Sequence, residues 1–528
     1  MRLRSAAVVG GGPGGLYAAR LIKLSQPDCR VDVYEDIDPA RTFGFGVGLA
    51  TRTQRNLQAA DPDTLQDILA TSWPHDMSMR VGGHKVQLPG DNLIAIGRTA
   101  LLDLLRRHAA AVGVNLHYGT RVRAGDLDAD VVVAADGVSS ATREAHTQEF
   151  GAGIEWHDGL YVWCGAEFAL PSAVFTPATT EFGTFVAHAY PYAADSSTFL
   201  VEADETTWRA AGFDRTTELT APEDNDETTL AYLSEAFADE LQGHRLIGNR
   251  TRWLRFRTVR CRQWHHGNIV LLGDAAHTAH YSIGSGTKLA MEGAIALSRA
   301  LAEQPTVADA LAEYDAVHRP GVEHLQETAD RSMYWWDSFP TRLDLPVEQL
   351  FVSYMTRAGK VSVDTFAERN PQVVDAALAQ YGGMPASDVD AGARIEWILS
   401  RPLPATADRV SGRVVPEAYL DDVVGPSVAV HVDIARPWLP AAGELVATVA
   451  RAVAAGTTGA VVLSCDDEVG AVLTMFDVGE RMKRETGGLV VARLSPKWRE
   501  TAADALLSGR ADLISWTVPT DAGAEIGP

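Results

Sequence analysis

The chain has 528 residues, enough for two or three domains with full cores, and its 46% hydrophobic and 22% charged content is that of an ordinary globular protein. A net charge of −23 excludes a nucleic-acid binder, whose affinity rests on phosphate contacts. Cys29, Cys164, Cys261 and Cys465 form no CxxC pair, which fits a reduced, cytoplasmic setting without a zinc site. No stretch has the length of a membrane span, and the chain enters a strand almost at once, so neither a membrane partner nor a signal peptide is expected.

Ala6 to Arg20 reads as a short apolar strand, a Gly10-x-Gly12-x-x-Gly15 turn and a helix. Gly10 permits the tight turn, Gly12 lets backbone approach a pyrophosphate, and Gly15 lets helix and strand pack closely. Pro13 and Gly14 complete the expected cofactor-binding turn, whose helix end attracts phosphate. A second strand follows from Val31 to Glu35, placing an acid where adenosine ribose hydroxyls are held. These features predict a dinucleotide site, NAD or FAD.

The glycine-rich segment from Arg41 to Gly48 is either a lining for a flat ligand or a plain surface loop, and Arg41 is a cofactor-binding candidate. Thr53 to Ala70 reads as helical, and Met77 to Leu88 as strands. Arg98 to Val112 is an amphipathic helix closed by Gly113; Arg98 at its start is a solvated end residue or a phosphate clamp. Strands at Val114–Tyr118 and Asp130–Ala135 precede Asp136-Gly137 and a small polar run to Arg143, a second phosphate-friendly turn.

From Trp156 to Glu202 the pattern turns aromatic, β-branched and alternating, which predicts an inserted antiparallel sheet offering a flat wall to a substrate. Asp204 to Leu241 is acidic and helical. Arginines then recur at 250, 252, 255, 257, 260 and 262, either as the polar face of an edge strand or as a grip for NADPH or coenzyme A phosphates. The apolar strand Asn268–Leu272 ends in Gly273-Asp274, and Tyr281-Ser-Ile-Gly284-Ser-Gly286-Thr287 leads into a helix reaching Leu301. An aspartate at a strand end can accept sugar hydroxyls, and the helix N-terminus can stabilise charge on a reduced cofactor.

Together, the Gly10-to-Gly15 turn with Glu35, Asp136-Gly137 and Gly273-Asp274 resemble the single-component FAD-dependent aromatic hydroxylases, the p-hydroxybenzoate hydroxylase-like flavoproteins, over roughly residues 1–380. The resemblance implies an α/β and α+β architecture: a Rossmann-like FAD-binding domain in two parts, 1–155 and 266–380, around a β-sheet substrate domain at 156–265. It implies that Glu35 binds the adenosine ribose, Arg98 contacts FAD, Asp274 holds the ribityl chain and Asp136-Gly137 serves FAD and NAD(P)H. Gly284, Gly286 and Thr287 would stabilise the reduced flavin. NAD(P)H is a transient co-substrate, so no second nucleotide domain is expected. The segment from His277 to Leu297 is similar to the salicylyl-CoA 5-hydroxylase and anthraniloyl-CoA monooxygenase branch. That branch implies O₂-dependent hydroxylation of an aryl-CoA ring, with a free or natural-product aromatic as the alternative substrate and a flavin- or acyl-CoA-binding scaffold as the non-enzyme alternative. The chain departs from the family where a proline follows the GD motif; here the residues are His280-Tyr281-Ser282-Ile283.

His188, His277, His280 and Tyr281 are candidates for polar contact with a ring, and His280 and Tyr281 are preferred as catalytic because they lie between the GD motif and the cofactor helix. Tyr334-Trp335-Trp336 is either a wall of the ring site or core. Residues 400–528 alternate strands and helices and resemble the last units of an Old Yellow Enzyme-type barrel. About 130 residues remain there, against about 250 for a whole barrel, and His431 is the only histidine after residue 400. The tail therefore reads as a truncated, flavin-free remnant that packs structurally or supports a homodimer.

Overall fold

The computed structural model describes residues 1–37, 44–90, 93–385, 389–456 and 459–517; Arg41 lies outside them. The chain forms two units, Met1–Arg80 with Gln87–Met333, and Val81–Val86 with Tyr334–Pro528. Among the described residues no helix is long and apolar enough to cross a membrane.

In the first unit, the apolar run Ser5–Val9 becomes a strand because it is buried on both faces, between Arg30–Glu35 and Val131–Ala134, parallel to each. Ile269–Leu271, from much later in the chain, lies parallel beside Val131–Ala134. Asn115–Tyr118 and the antiparallel pair His265–His266 complete a six-stranded sheet. Helix Pro13–Ser25 covers it with Leu16, Tyr17 and Ile22, all fully buried. The helix expected over 53–70 is two, Thr51–Ala60 and Pro62–Thr71. Pro62 has no N–H to continue the first ladder, and Asp61 caps the second helix by accepting from Thr64 N while pairing with buried Arg20 at 2.6 Å.

The inserted sheet has eight strands. Ala152–Ala166, Ser196–Ala203, Gly183–Ala193 and Ala173–Thr180 lie side by side, antiparallel, and Leu254–Cys261 pairs on the other side of the first. Alternation then sorts the side chains. Val162, Cys164, Ala187, Ala189, Phe199 and Val201 enter a core closed by Phe213, Leu233 and Phe237, which sit on the short helices formed by the acidic stretch after Asp204. The residues between them, including Tyr161, Phe175, His188, Leu200 and Glu202, take the opposite face.

In the second unit, Ser427–His431, Ala460–Ser464, Leu489–Leu494 and Leu513–Trp516 form a parallel sheet in chain order, with helices Pro440–Ala454, Val469–Thr486 and Arg499–Leu507 between them. Neighbours in chain order are the arrangement of a barrel wall, but four strands leave it open. Trp335 and Trp336 are core of this unit, packed on Phe339 and Tyr354. Arg342 forks onto Glu480 at 2.6 and 2.7 Å, with both side chains buried. Removing one partner leaves an uncompensated buried charge. Glu480→Ala is expected to destabilise the protein by about 3–5 kcal/mol, measured as a lower midpoint in chemical denaturation.

Candidate active site

The glycine turn is held by contacts that admit no side chain. A Cβ on Gly15 would lie 2.1 Å from the Gly10 carbonyl oxygen, and one on Gly10, at φ +103°, 2.2 Å from that of Ala135. Gly12 is the opposite case: nothing lies within 4 Å of its Cβ position, and it starts helix Pro13–Ser25 with no side-chain cap. Open space in front of uncapped N–H groups is a cradle for phosphate. Glu35 sits at the end of its strand beside this turn, its Oε2 accepting from Gly11 N at 2.6 Å and its Oε1 from Ile37 N at 2.9 Å.

Small residues also join the two sequence halves of the nucleotide fold. Ala290, on helix Gly286–Glu303, has its Cβ 3.0 Å from the Cβ position of Gly14 and 2.9 Å from that of Gly273. Asp136 turns its carboxylate into its own loop, accepting from Ser140 Oγ, Thr142 N and Thr142 Oγ1 at 2.6–3.0 Å, and Gly137 takes φ +77°. Arg143 then ties this loop to the GD turn: its guanidinium donates to Val138 O at 2.7 Å and Ala275 O at 2.9 Å. That clamp is a contribution of Arg143 which the turn pattern alone does not reveal.

Asp274 reaches solvent, yet protein surrounds it closely enough that burial pushes its pKa up, with Arg98 and then Arg143 opposing. Desolvation likewise pulls half-buried Arg98 down against the attraction of Asp274. An accessible carboxylate inside a walled crevice is what a ribityl chain requires. Gly284, at φ +59°, and Gly286 have empty space at their Cβ positions, and half-buried Thr287 occupies the first helical turn after Ser285, whose hydroxyl donates to Ile283 O and leaves the helix N–H groups uncapped. A phosphate cradle, an acid at the second strand, an acid in a crevice and an open helix start fit FAD.

On the sheet face, Tyr281 packs on Tyr161 at 4.7 Å between ring centroids, with Phe256 at 5.7 Å and His188 at 6.4 Å. His280 lies 3.9 Å from Tyr281. The structure therefore brings His188, His280 and Tyr281 together. It adds Glu202, whose Oε2 stands 3.3 Å from His188 Nε2. Burial raises the pKa of Glu202, but His188, then His280 and the hydrogen-bonding Tyr281 hydroxyl, outweigh it and leave the carboxyl below its usual range. Its signal in the sequence was an acid inside an otherwise apolar strand, STFLVEA.

The histidines differ. His280 is buried, its Nδ1 accepting from Ser282 N at 3.4 Å, and burial pushes its pKa down to about 3. His277 is pushed down to about 3 for the same reason and packs 4.9 Å from Trp264, with neither ring nitrogen hydrogen-bonded. Both are neutral imidazoles near neutral pH. The arginine run is largely committed within the protein: Arg255 to Glu205 at 2.9 Å, Arg260 to Glu155 and Asp330, Arg257 to Ser139 and Arg252 to Thr217 O. On the surface, His146, Glu149 and His266 bring ligand atoms within 4.8 Å of one another, the one such grouping among the described residues, with Glu149 and His266 exposed.

A nucleotide fold whose residues fit FAD, with a sheet carrying one face lined by rings, is that of a flavin-dependent enzyme. Residues 123–329 match the model of the FAD binding domain family. The chain is 40% identical over 368 residues to a salicyloyl-CoA 5-hydroxylase from a Streptomyces species, covering 68% of this chain and 71% of that protein. It is 41% identical over 357 residues to 3-hydroxy-4-methyl-anthranilyl-(aryl-carrier protein) 5-monooxygenase of Streptosporangium sibiricum, covering 67% of this chain and 94% of that protein. Its fold is shared with 2-methyl-3-hydroxypyridine-5-carboxylic acid oxygenase, at a TM-score of 0.53 and 21% identity over 70% of this chain and 98% of the other. The chain belongs to the single-component FAD-dependent aromatic monooxygenases.

Two glycine variants separate cradle from scaffold. Gly12→Ala is expected to keep the melting temperature of the apoprotein and to weaken FAD binding at least tenfold, because its methyl enters only the open cradle. Gly15→Ala is expected to lower both, since its methyl meets backbone. Flavin fluorescence titration and thermal denaturation of the two apoproteins check this.

Proposed function

We propose that this monooxygenase hydroxylates the ring of an aryl thioester, a benzoyl group bearing an ortho hydroxyl or amino substituent and carried on coenzyme A. The observation that carries the reading is the face of Tyr161, His188, Glu202 and Tyr281, a ring-walled surface with one buried carboxylate. Two relatives at 40% and 41% identity support it, one named for salicyloyl-CoA and the other for an anthranilyl group on an aryl-carrier protein, both for reaction at position 5.

Glycine turn, Glu35, Arg98 and Asp274 are the residues that would hold FAD, and the N–H groups at Gly286 and Thr287 would stabilise negative charge on its reduced ring. The chemistry FAD supplies when bound, at the expense of NAD(P)H, is activation of O₂ for transfer of one oxygen atom to an aromatic carbon. The protein's part is to hold the ring in register and to exclude water. Tyr161 and Tyr281 supply flat apolar contact; burial pushes the Tyr161 hydroxyl up to about 12, so it stays protonated.

NAD(P)H oxidation by FAD-loaded protein in air tests the reading. Salicyloyl-CoA and anthraniloyl-CoA are expected to accelerate it, each yielding a product heavier by one oxygen, while free salicylate and indole do not. Acceleration by the free aromatics alone would overturn the thioester assignment, and acceleration only by carrier-protein thioesters would overturn coenzyme A as the carrier.

A further inference from the structure

Glu202 is an acid where the strand pattern calls for an apolar or neutral residue. It lies opposite Tyr161 on the Ala152–Ala166 strand and diagonal to His188, which faces Leu200 on the Gly183–Ala193 strand. Only 9% of it is exposed. Oε2 stands at ion-pair distance, 3.3 Å, from His188 Nε2 and the Tyr281 hydroxyl also bonds the carboxylate, whereas Oε1 is buried and makes no hydrogen bond. The groups facing the carboxylate are His188 from the neighbouring strand, Tyr161 from the opposite one, and Tyr281 and His280 from the segment before the cofactor helix. Phe175 packs edge-on to His188 at 5.2 Å, and Phe256 backs Tyr281 and His280. An unsatisfied acceptor among rings has one natural complement: a flat ring with a donor at its edge.

We propose that Glu202 reads the ring substituent of the substrate, its Oε1 accepting a hydrogen bond from the ortho hydroxyl or amino group, and that the Glu202–His188 pair takes that proton as the ring is attacked. For a hydroxyl, the O–H bond breaks, its electron pair stays on oxygen and feeds the ring, and the proton rests on the pair. It returns to that oxygen when the hydroxylated carbon sheds its own proton and the ring regains aromaticity. The position of the donor rests on the aryl-thioester reading; the need for a donor does not.

Matched ligands on FAD-loaded protein test this. Salicyloyl-CoA carries the donor and benzoyl-CoA lacks it. A site built around a polar contact discriminates strongly against the analogue without it, so wild-type protein is expected to bind salicyloyl-CoA at least about tenfold more tightly, read from the flavin absorbance change. Glu202→Gln, whose amide oxygen is a weaker acceptor and no base, is expected to narrow that gap with benzoyl-CoA affinity unchanged, and to abolish the absorbance shift that marks ionisation of the bound phenol. Equal weakening of both ligands would show a merely structural Glu202 and overturn the proposal, as would an intact gap. Should Glu202→Gln fail to retain FAD, His188→Asn serves instead: it is expected to keep the affinity gap and raise the pH at which the bound phenol ionises, and an unmoved pH would overturn the role of the pair. If wild-type protein binds no thioester, the substrate reading fails separately, and free salicylate against benzoate still decides whether Glu202 reads a donor.

Discussion

The first unit depends on a junction of three small residues. Gly14, Gly273 and Ala290 come from the first helix, the GD turn and the cofactor helix, and their near-contact lets segments far apart in sequence close on one another. A larger side chain at any of them would separate the phosphate cradle from the crevice holding Asp274. The Gly10–Gly15 crossing does the same work locally, and Arg143 fastens the Asp136 loop to the GD turn from the other side. The cofactor site is thus made mostly of backbone, held in place by the absence of side chains.

The proposed substrate face follows a different logic. Its residues are side chains on a sheet, sorted by alternation, so that Tyr161, His188 and Glu202 face one way because Val162, Ala187 and Val201 are needed in the core on the other. The loop from His280 to Gly284 then lays Tyr281 across them. Burial does the electrostatic work, keeping His277 and His280 neutral while the His188–Glu202 contact holds the carboxyl ionised.

What the sequence disclosed were the features carried by short-range order. The strand–turn–helix at Gly10–Gly15 and the GD turn are spacing patterns, and the alternation over 156–202 needs no knowledge of partners. The strand-helix repeat of the tail was equally plain. The Glu202–His188 pair was not, because diagonal neighbours depend on register, and register depends on a bulge near Pro191 that no local pattern fixes. Pro62 split a helix that apolar periodicity alone would have continued. The arginine run was conspicuous in an acidic chain, yet Arg252, Arg255 and Arg260 are bonded to acids and a carbonyl that only the tertiary fold brings near.

The proposed function places the substrate ring on the sheet face, against Tyr161 and Tyr281, with its edge at Glu202. A crystal structure of the FAD-loaded protein soaked with salicyloyl-CoA tests it most directly. Density for the aromatic ring is expected flat against those tyrosines, with its hydroxyl within hydrogen-bonding distance of Glu202. Density for the ring elsewhere, away from Tyr161 and Glu202, would contradict that placement.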